Sequence, residues 1–176
     1  MNSLASIRKK LAGLLDSQIA ILDGAMGTMI QAYDLQEKDY RGKQFSNWSM
    51  DLKGNNDLLS ITQPKIIEAI HKEFLVAGAN IIETNTFNSN APSMADYNMA
   101  DLVHDLNFSA AQIARKAVDN FKKKNPREIF VAGVLGPTNR TCSLSPDVED
   151  PSFRNINFDQ LVETFKVATS ALLDGG

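Results

Sequence analysis

The feature that most constrains this chain is a repeated order of short apolar strand, polar loop and long amphipathic helix. Apolar runs at 19–22, 80–87 and 129–135 are typical of strands, and each passes into a loop rich in Gly, Asn, Thr and acidic residues. Strands that alternate with helices pair in parallel through right-handed crossovers. Their carboxyl ends then share one side of the sheet, where α/β folds bind ligands. The alternation therefore predicts an α/β fold with its site at the strand ends.

Apolar residues at helical spacing predict four helices around these strands. The predicted helices run from a cap at Ser3 to Leu15, from Thr62 and Pro64 to Gly78, over 102–121, and onward from a capping pair at Asn157 and Gln160. The run at 19–22 is predicted to be a buried strand. The stretch from 34 to 60 is predicted to be a long polar loop, and long ordered loops usually carry function.

The strands are expected in the order first, second, third, with helices packed on one face. Such strands suit either a doubly wound sheet or part of a barrel, and a closed barrel needs eight strands and typically ~250 residues. The chain stops at 173–176 with the same glycine signal that ends a helix before the second strand. We therefore expect a truncated piece of a larger fold. Its third strand would have an edge without a neighbour, which favours self-association.

Composition excludes several classes of function. A chain of 176 residues that is 43% hydrophobic supports one domain with a real core. A net charge of −3, with acids and bases mixed, gives no reason to expect a nucleic-acid partner, and the Lys122–Lys124 run suits a helix end. The one cysteine, Cys142, excludes an internal disulfide, and no apolar stretch approaches the ~20 residues of a membrane span. These features favour a soluble, cytoplasmic protein without a membrane partner.

The turn at Asp23–Gly27 is the first candidate site. Its two glycines allow a tight turn with exposed backbone N–H groups that can hold a carboxylate. Asp23 beside them can accept hydrogen bonds from an ammonium group, so one strand end could bind both poles of an amino acid. The glycine spacing differs from a nucleotide-binding Gly-x-Gly-x-x-Gly. A structural turn with a solvated aspartate remains the alternative.

The ends of the second and third strands supply the other candidates. Glu83 and Asn85 share a face by the period of two, and Thr86 follows them. A carboxylate in an apolar strand costs free energy unless it is paired with another group or takes part in binding. A structural glutamate with its hydrogen bonds satisfied is equally compatible with the pattern. Thr138 and Asn139 form a third set, and residues of this kind are often ordinary turn residues.

No catalytic or metal-binding cluster is visible in the sequence. His71 and His104 are expected to be partly exposed residues of separate helices, and they share no ligand spacing. Cys142 is expected to be a loop thiol without a neighbouring Cys or His. We therefore predict no catalytic residue and no metal ligand within this chain.

Five motifs, taken in order, resemble one known family. They are Asp-Gly-Ala-Met-Gly-Thr at 23–28, Lys-Gly-Asn-Asn-Asp-Leu-Leu at 53–59, Glu-Thr-Asn-Thr-Phe-Asn at 83–88, Ala-Gly-Val-Leu-Gly-Pro-Thr-Asn-Arg-Thr at 132–141 and Ser-Pro-Asp-Val at 145–148. Together they resemble the homocysteine-binding domain of cobalamin-dependent methionine synthase, over essentially the whole chain. The 53–59 motif and Asp-Tyr-Arg-Gly at 39–42 favour this family over betaine-dependent relatives.

The resemblance implies a (β/α)8 TIM barrel, of which this chain holds about the first three βα units behind an N-terminal helix. Such a barrel binds homocysteine and zinc at its C-terminal face. Zinc lowers the pKa of the thiol so that a thiolate attacks the methyl group of methylcobalamin and yields methionine. The substrate-binding positions that the resemblance implies are Asp23 at the amine, the backbone of Gly24, Ala25, Met26 and Gly27 at the carboxylate, and Glu83, Asn85 and Thr138 along the pocket.

The resemblance also implies what this chain lacks. The zinc cysteines of the family come from late barrel strands, and no counterpart occurs before residue 176. The expected partners are therefore homocysteine, the remaining barrel half, and the folate and cobalamin modules of a parent methyltransferase. The chain alone is expected to bind no cofactor and to be inactive. A fragment of a betaine- or S-methylmethionine-dependent relative, or a non-catalytic half-barrel binding subunit, are the alternatives.

Overall fold

A computed structural model describes residues 4–176 of the chain. The predicted cap at Ser3 lies outside the described residues. The elements, in chain order, are α1 (Leu4–Ser17), α2 (Met26–Gln31), α3 (Glu37–Arg41), α4 (Leu59–Thr62), α5 (Pro64–Ala77), β1 (Ile81–Glu83), α6 (Ala91–Met94), α7 (Val103–Lys122), β2 (Phe130–Ala132) and α8 (Phe158–Gly175). Short 3₁₀ turns lie at Asn56–Leu58, Ala95–Tyr97 and Ala100–Leu102. No described helix is long and apolar enough to cross a membrane.

The long helices begin and end where local signals predict. Pro64 occupies the first turn of α5, and Gly78 ends that helix with a left-handed φ of 114°. At the start of α8, Asn157 Oδ1 accepts the Gln160 N–H at 2.9 Å, and Gln160 Oε1 accepts the Asn157 N–H at 2.9 Å. The predicted capping pair is therefore confirmed.

The sheet is parallel and small. β1 pairs with β2 in the register Ile81↔Phe130 to Glu83↔Ala132. The first apolar run contributes only a single parallel bridge, Leu22 to Ile81, on the other side of β1. The parallel pairing of the second and third predicted strands is confirmed, and the first apolar run lies on the expected side of β1. The predicted three-stranded sheet is reduced to two strands and one bridge, and each strand is shorter than its apolar run.

Helices cover one face of this sheet. Ile82 is fully buried among Leu75 of α5 and Val118 of α7. The prediction that 19–22 is a buried strand is wrong, since Ile19 is 89% exposed and Ile21 is 56% exposed. The segment has one strand neighbour, and the described residues leave most of the surface of these two side chains uncovered.

The stretch from 34 to 60 is not the polar loop that the sequence predicts. It contains α3, a 3₁₀ turn and the start of α4, and Leu52, Leu58 and Leu59 are fully buried in the larger hydrophobic cluster. The same cluster includes Met94 and Leu106 from later in the chain. The apolar residues here lack a regular period because distant segments, not one helix face, bury them.

Candidate functional site

Asp23 and Glu83 lie side by side at the carboxyl ends of two neighbouring strand segments. The Glu83 N–H donates to Asp23 Oδ1 at 2.9 Å, and the Asp23 N–H donates to the carbonyl of Ile81 at 2.9 Å. Burial raises the pKa of Asp23 to about 6; the Glu83 N–H opposes this shift, and the Glu83 carboxylate adds to it. Two adjacent carboxyl groups, one of them partly desolvated, form a site that favours a cation.

The turn that follows Asp23 offers hydrogen-bond donors. The backbone N–H groups of 24–28 donate to no acceptor among the described residues, and Gly24 is exposed. The left-handed residue of the turn is Ala25, with φ 50° and ψ 32°, whereas the sequence pattern assigned the special conformation to glycine. Free N–H groups of this kind suit a carboxylate or another small anion.

Asn85 and Thr86 brace the loop after β1 from inside the fold. Asn85 is 7% exposed, and its Nδ2 donates to the Asn56 carbonyl at 2.8 Å and to Ser60 Oγ at 3.2 Å. Thr86 Oγ1 donates to the Val134 carbonyl at 2.8 Å. Asn85 lies beyond the end of β1, so it does not share a strand face with Glu83 as the period of two predicted.

Thr138 and Asn139 lie in the loop after β2. Asn139 Nδ2 donates to Asp96 Oδ2 at 2.8 Å, and Thr138 Oγ1 donates to the Arg140 carbonyl. Among the described residues, no hydrogen bond joins Thr138 to Asp23 or Glu83. The structure thus brings Asp23, Glu83 and the 24–28 turn together, while Asn85 and Thr138 are engaged with other partners.

A second polar cluster, which sequence reasoning missed, supports the loop after β1. Asp57 is 3% exposed, and its Oδ1 accepts the Asn88 N–H at 2.8 Å and the Ser89 hydroxyl at 2.9 Å. Burial raises the pKa of Asp57. The run Asn55-Asn56-Asp57 before two leucines was the available signal, because polar residues directly beside buried leucines are themselves near the core.

His71 differs from its predicted exposure. The prediction of a partly exposed histidine is wrong, since His71 is fully buried and neither ring nitrogen has a hydrogen-bond partner among the described residues. Burial lowers the pKa of His71 to about 4. His71 falls on the inner stripe of α5, between Ile67 and Leu75, where the two hydrophobic clusters meet.

The remaining metal-ligand types lie apart. The His104 side chain is 54% exposed, and Cys142 is an exposed free thiol. Within residues 4–176, no three His, Cys, Asp or Glu side chains converge on a point that could hold a metal ion.

Comparison with known proteins gives one family and one fold. The sequence profile described as "Homocysteine S-methyltransferase" matches residues 20–176. The homocysteine methyltransferase MmuM from Escherichia coli, in its oxidized form, has a TM-score of 0.69 at 23% identity over 95% of this chain and 53% of its own. The metallated form of MmuM has a TM-score of 0.69 at 23% identity, over 95% of this chain and 54% of the MmuM chain. The apo form has a TM-score of 0.62 at 24% identity, over 95% of this chain and 50% of the MmuM chain. The chain therefore shares this fold and spans about half the length of the solved structures it matches.

Proposed function

Because the chain belongs to the homocysteine S-methyltransferase family, we propose that it supplies the part of a homocysteine-binding barrel that holds the amino and carboxylate groups of the substrate. One observation carries this proposal. The partly desolvated carboxyl group of Asp23, beside Glu83, lies directly before a run of backbone N–H groups that donate to no acceptor among the described residues, at a parallel strand end. An α-amino acid presents one ammonium and one carboxylate group, which a carboxylate and a set of N–H donors can bind.

Each of these groups has a distinct task in the proposed complex. Ionised Asp23 accepts hydrogen bonds from the substrate ammonium, and such charge-assisted bonds are strong where water is partly excluded. The N–H groups of 24–28 donate to the substrate carboxylate. Holding both polar ends leaves the sulfur as the free end of the ligand, so it can be presented to a methyl donor.

Zinc and the methyl donor are proposed to bind outside this chain. In the complete enzyme, zinc would supply a lowered thiol pKa. The described residues do not fit a zinc centre, because no three ligand side chains converge. We propose that the isolated chain does not catalyse methyl transfer.

The parent enzyme is proposed to be a cobalamin-dependent methionine synthase of the cytoplasm. The 39–42 and 53–59 motifs support methylcobalamin as the donor, and the edge of β2 that has no strand neighbour among the described residues supports a barrel completed by further strands. The similarity to MmuM, at 23–24% identity, concerns the fold and does not distinguish between donors.

A ligand series tests the binding proposal. Isotope-labelled chain is titrated with L-homocysteine and, as the matched control, with a thiol that lacks both polar groups, while amide NMR signals are followed. We expect saturable shifts at 23–28 and 83 with homocysteine and none with the simple thiol. Equal shifts with both ligands, or shifts confined to the opposite end of the sheet, would overturn the proposal.

A further inference from the structure

Asn56 presents a side-chain amide beside the turn at 24–28. A Cβ atom built on Gly27 would lie 3.8 Å from Asn56 Nδ2, so the amide lies next to the Gly27 backbone. Asn56 is half-buried, and its Nδ2 donates to none of the described residues. Nothing in the sequence pattern assigned this residue a role in binding.

Two contacts fix how this amide is oriented. The Tyr40 hydroxyl donates to Asn56 Oδ1 at 2.9 Å, and the Asn56 backbone carbonyl accepts from Asn85 Nδ2 at 2.8 Å. Tyr40 is 6% exposed, and burial raises its pKa, so the hydroxyl stays protonated and remains a donor at neutral pH. Because Oδ1 is occupied, the Nδ2 donors are the groups left for a ligand.

We infer that Asn56 is a substrate-binding residue whose Nδ2 donates to the carboxylate of the bound amino acid, and that Tyr40 is the positioning residue behind it. The inference rests on the proposed function and deepens it. A side chain that offers only N–H groups suits the carboxylate and not the ammonium. Asp23 and Asn56 would then mark the two ends of the turn and select ligands that carry both charges.

The Asn56→Asp variant tests this assignment. The change keeps the shape and the acceptor for Tyr40, but it replaces the donor with a group that repels a carboxylate. Affinity for L-homocysteine should fall about ten- to hundredfold. Affinity for the decarboxylated analogue of homocysteine, which has no carboxylate to repel, should stay the same or rise.

Two further variants separate binding from folding. Tyr40→Phe frees the amide to rotate, so it should weaken homocysteine binding several-fold and leave the analogue unaffected. Gly27→Ala adds a methyl group at ordinary contact distance from Asn56 Nδ2, without a left-handed φ to strain, and should likewise affect homocysteine more than the analogue. Asn125→Asp, at an exposed position, is the matched control.

The outcomes distinguish the two proposals. Binding of both ligands is measured by calorimetry on the wild-type chain and each variant, with thermal unfolding as the check on folding. Equal losses on both ligands, or no loss in Asn56→Asp, would overturn the role of Asn56 while the proposed function stands. The role of Asn56 is also overturned if the wild-type chain binds the decarboxylated analogue as tightly as homocysteine. If the wild-type chain binds neither ligand, the proposed function itself is overturned.

Discussion

Asp23, the residue proposed to bind the substrate ammonium, lowers the stability of the chain at neutral pH. Burial raises its pKa from 3.8 to about 6, so the ionised form is less favourable in the folded chain than in the unfolded one. A carboxyl group with a raised pKa binds more protons when folded, and stability therefore falls as the pH rises from about 3.8 through 6. The residue is costly at neutral pH unless a cation is bound beside it.

The Asp23→Asn variant should separate stability from binding. The amide oxygen can still accept the Glu83 N–H, while the charge is removed. At pH 8 we expect a gain of about 1 kcal/mol, discounted for partial exposure, and at pH 3.5 no gain. Homocysteine affinity should fall about ten- to hundredfold. Melting curves at both pH values measure the change in stability, and a titration with homocysteine measures the change in affinity. Asp51→Asn is the control, because the Asp51 side chain is 96% exposed. Lower stability at pH 8 would contradict the argument.

His71 should make the fold sensitive to acid. Its pKa is about 4 when folded and about 6.5 when unfolded, so the unfolded chain takes up the proton first. The contribution of His71 to stability should therefore fall as the pH drops from 6.5 to 4, by roughly 3 kcal/mol, against the smaller, opposite contribution of Asp23. His71→Leu should remove that slope and stabilise the chain at pH 7, because the unpaired ring nitrogens disappear. Urea unfolding across this pH range provides the measurement. The role of His71 would be refuted if His71→Leu left the pH dependence of the unfolding free energy unchanged. It would also be refuted if the exposed control, His104→Gln, lost that dependence.

Asp23 could be predicted from the sequence, whereas the burial of His71 and the position of Asn56 could not. Asp23 was identified because a carboxylate next to glycines at a strand end is a local signal, and the structure gives it a shifted pKa. The burial of His71 was missed, because two clusters formed by distant segments meet over its face of α5. Asn56 was missed for a related reason, since its proximity to Gly27 depends on how 34–60 folds back.

At the scale of elements, helices were predicted better than strands. Helix ends are set by local groups, such as Pro64 and Gly78 or the Asn157–Gln160 pair, so they can be read from a few residues. Strand ends depend on partners far along the chain, and the first strand reduces to one bridge at Leu22. The parallel order followed from the connections and was confirmed, whereas strand lengths could not be predicted.

The carboxyl end of α5 is held by an arginine from another segment. Arg127 donates to the carbonyls of Leu75, Gly78 and Ala79 at 2.7–3.1 Å and lies 5.3 Å from the centre of the Phe121 ring. Arg127→Ala should lower the free energy of unfolding by about 1–3 kcal/mol, since three helix-end carbonyls lose a charged donor. Arg127→Lys should recover less than half, because lysine lacks the planar fork. Urea unfolding measures these free energies, and the control Lys124→Ala should change the free energy of unfolding little. An Arg127→Ala variant as stable as the wild type would disprove the role of Arg127 at the end of α5.

At the scale of the whole molecule, the sheet has uncovered edges among the described residues. Ile19 and Ile21 are exposed beside the first bridge, and β2 has a strand neighbour on one side among the described residues. Uncovered apolar edges recruit other chains, so the chain should self-associate as its concentration rises. The double change Ile19→Lys and Ile21→Lys should reduce that association without a loss of helix content. Light scattering over a concentration series measures it, and a wild-type monomer throughout would contradict the expectation.

The proposed division of the homocysteine site between this chain and the rest of a barrel leads to a prediction about zinc binding and turnover. A catalytic zinc site needs three convergent protein ligands. Here the sulfur and imidazole ligands are Cys142 in an exposed loop, His71 in the core and His104 on α7, with no convergent group among the described residues. Without zinc, the thiol of a bound homocysteine would stay mostly protonated at neutral pH and would attack a methyl donor slowly.

The isolated chain should therefore bind homocysteine while neither holding zinc tightly nor forming methionine. Zinc is titrated against a competing chelator, and methionine is then assayed with methylcobalamin, betaine and S-methylmethionine as separate donors. A polypeptide that supplies the remaining strands, added in trans, should restore turnover with the cobalamin donor if the proposed parent is correct. Restoration by one of the other donors would reassign the parent within the family. A tight one-to-one zinc site, or turnover by the chain alone, would show that Asp23 and Glu83 belong to a complete catalytic centre and not to one half of it.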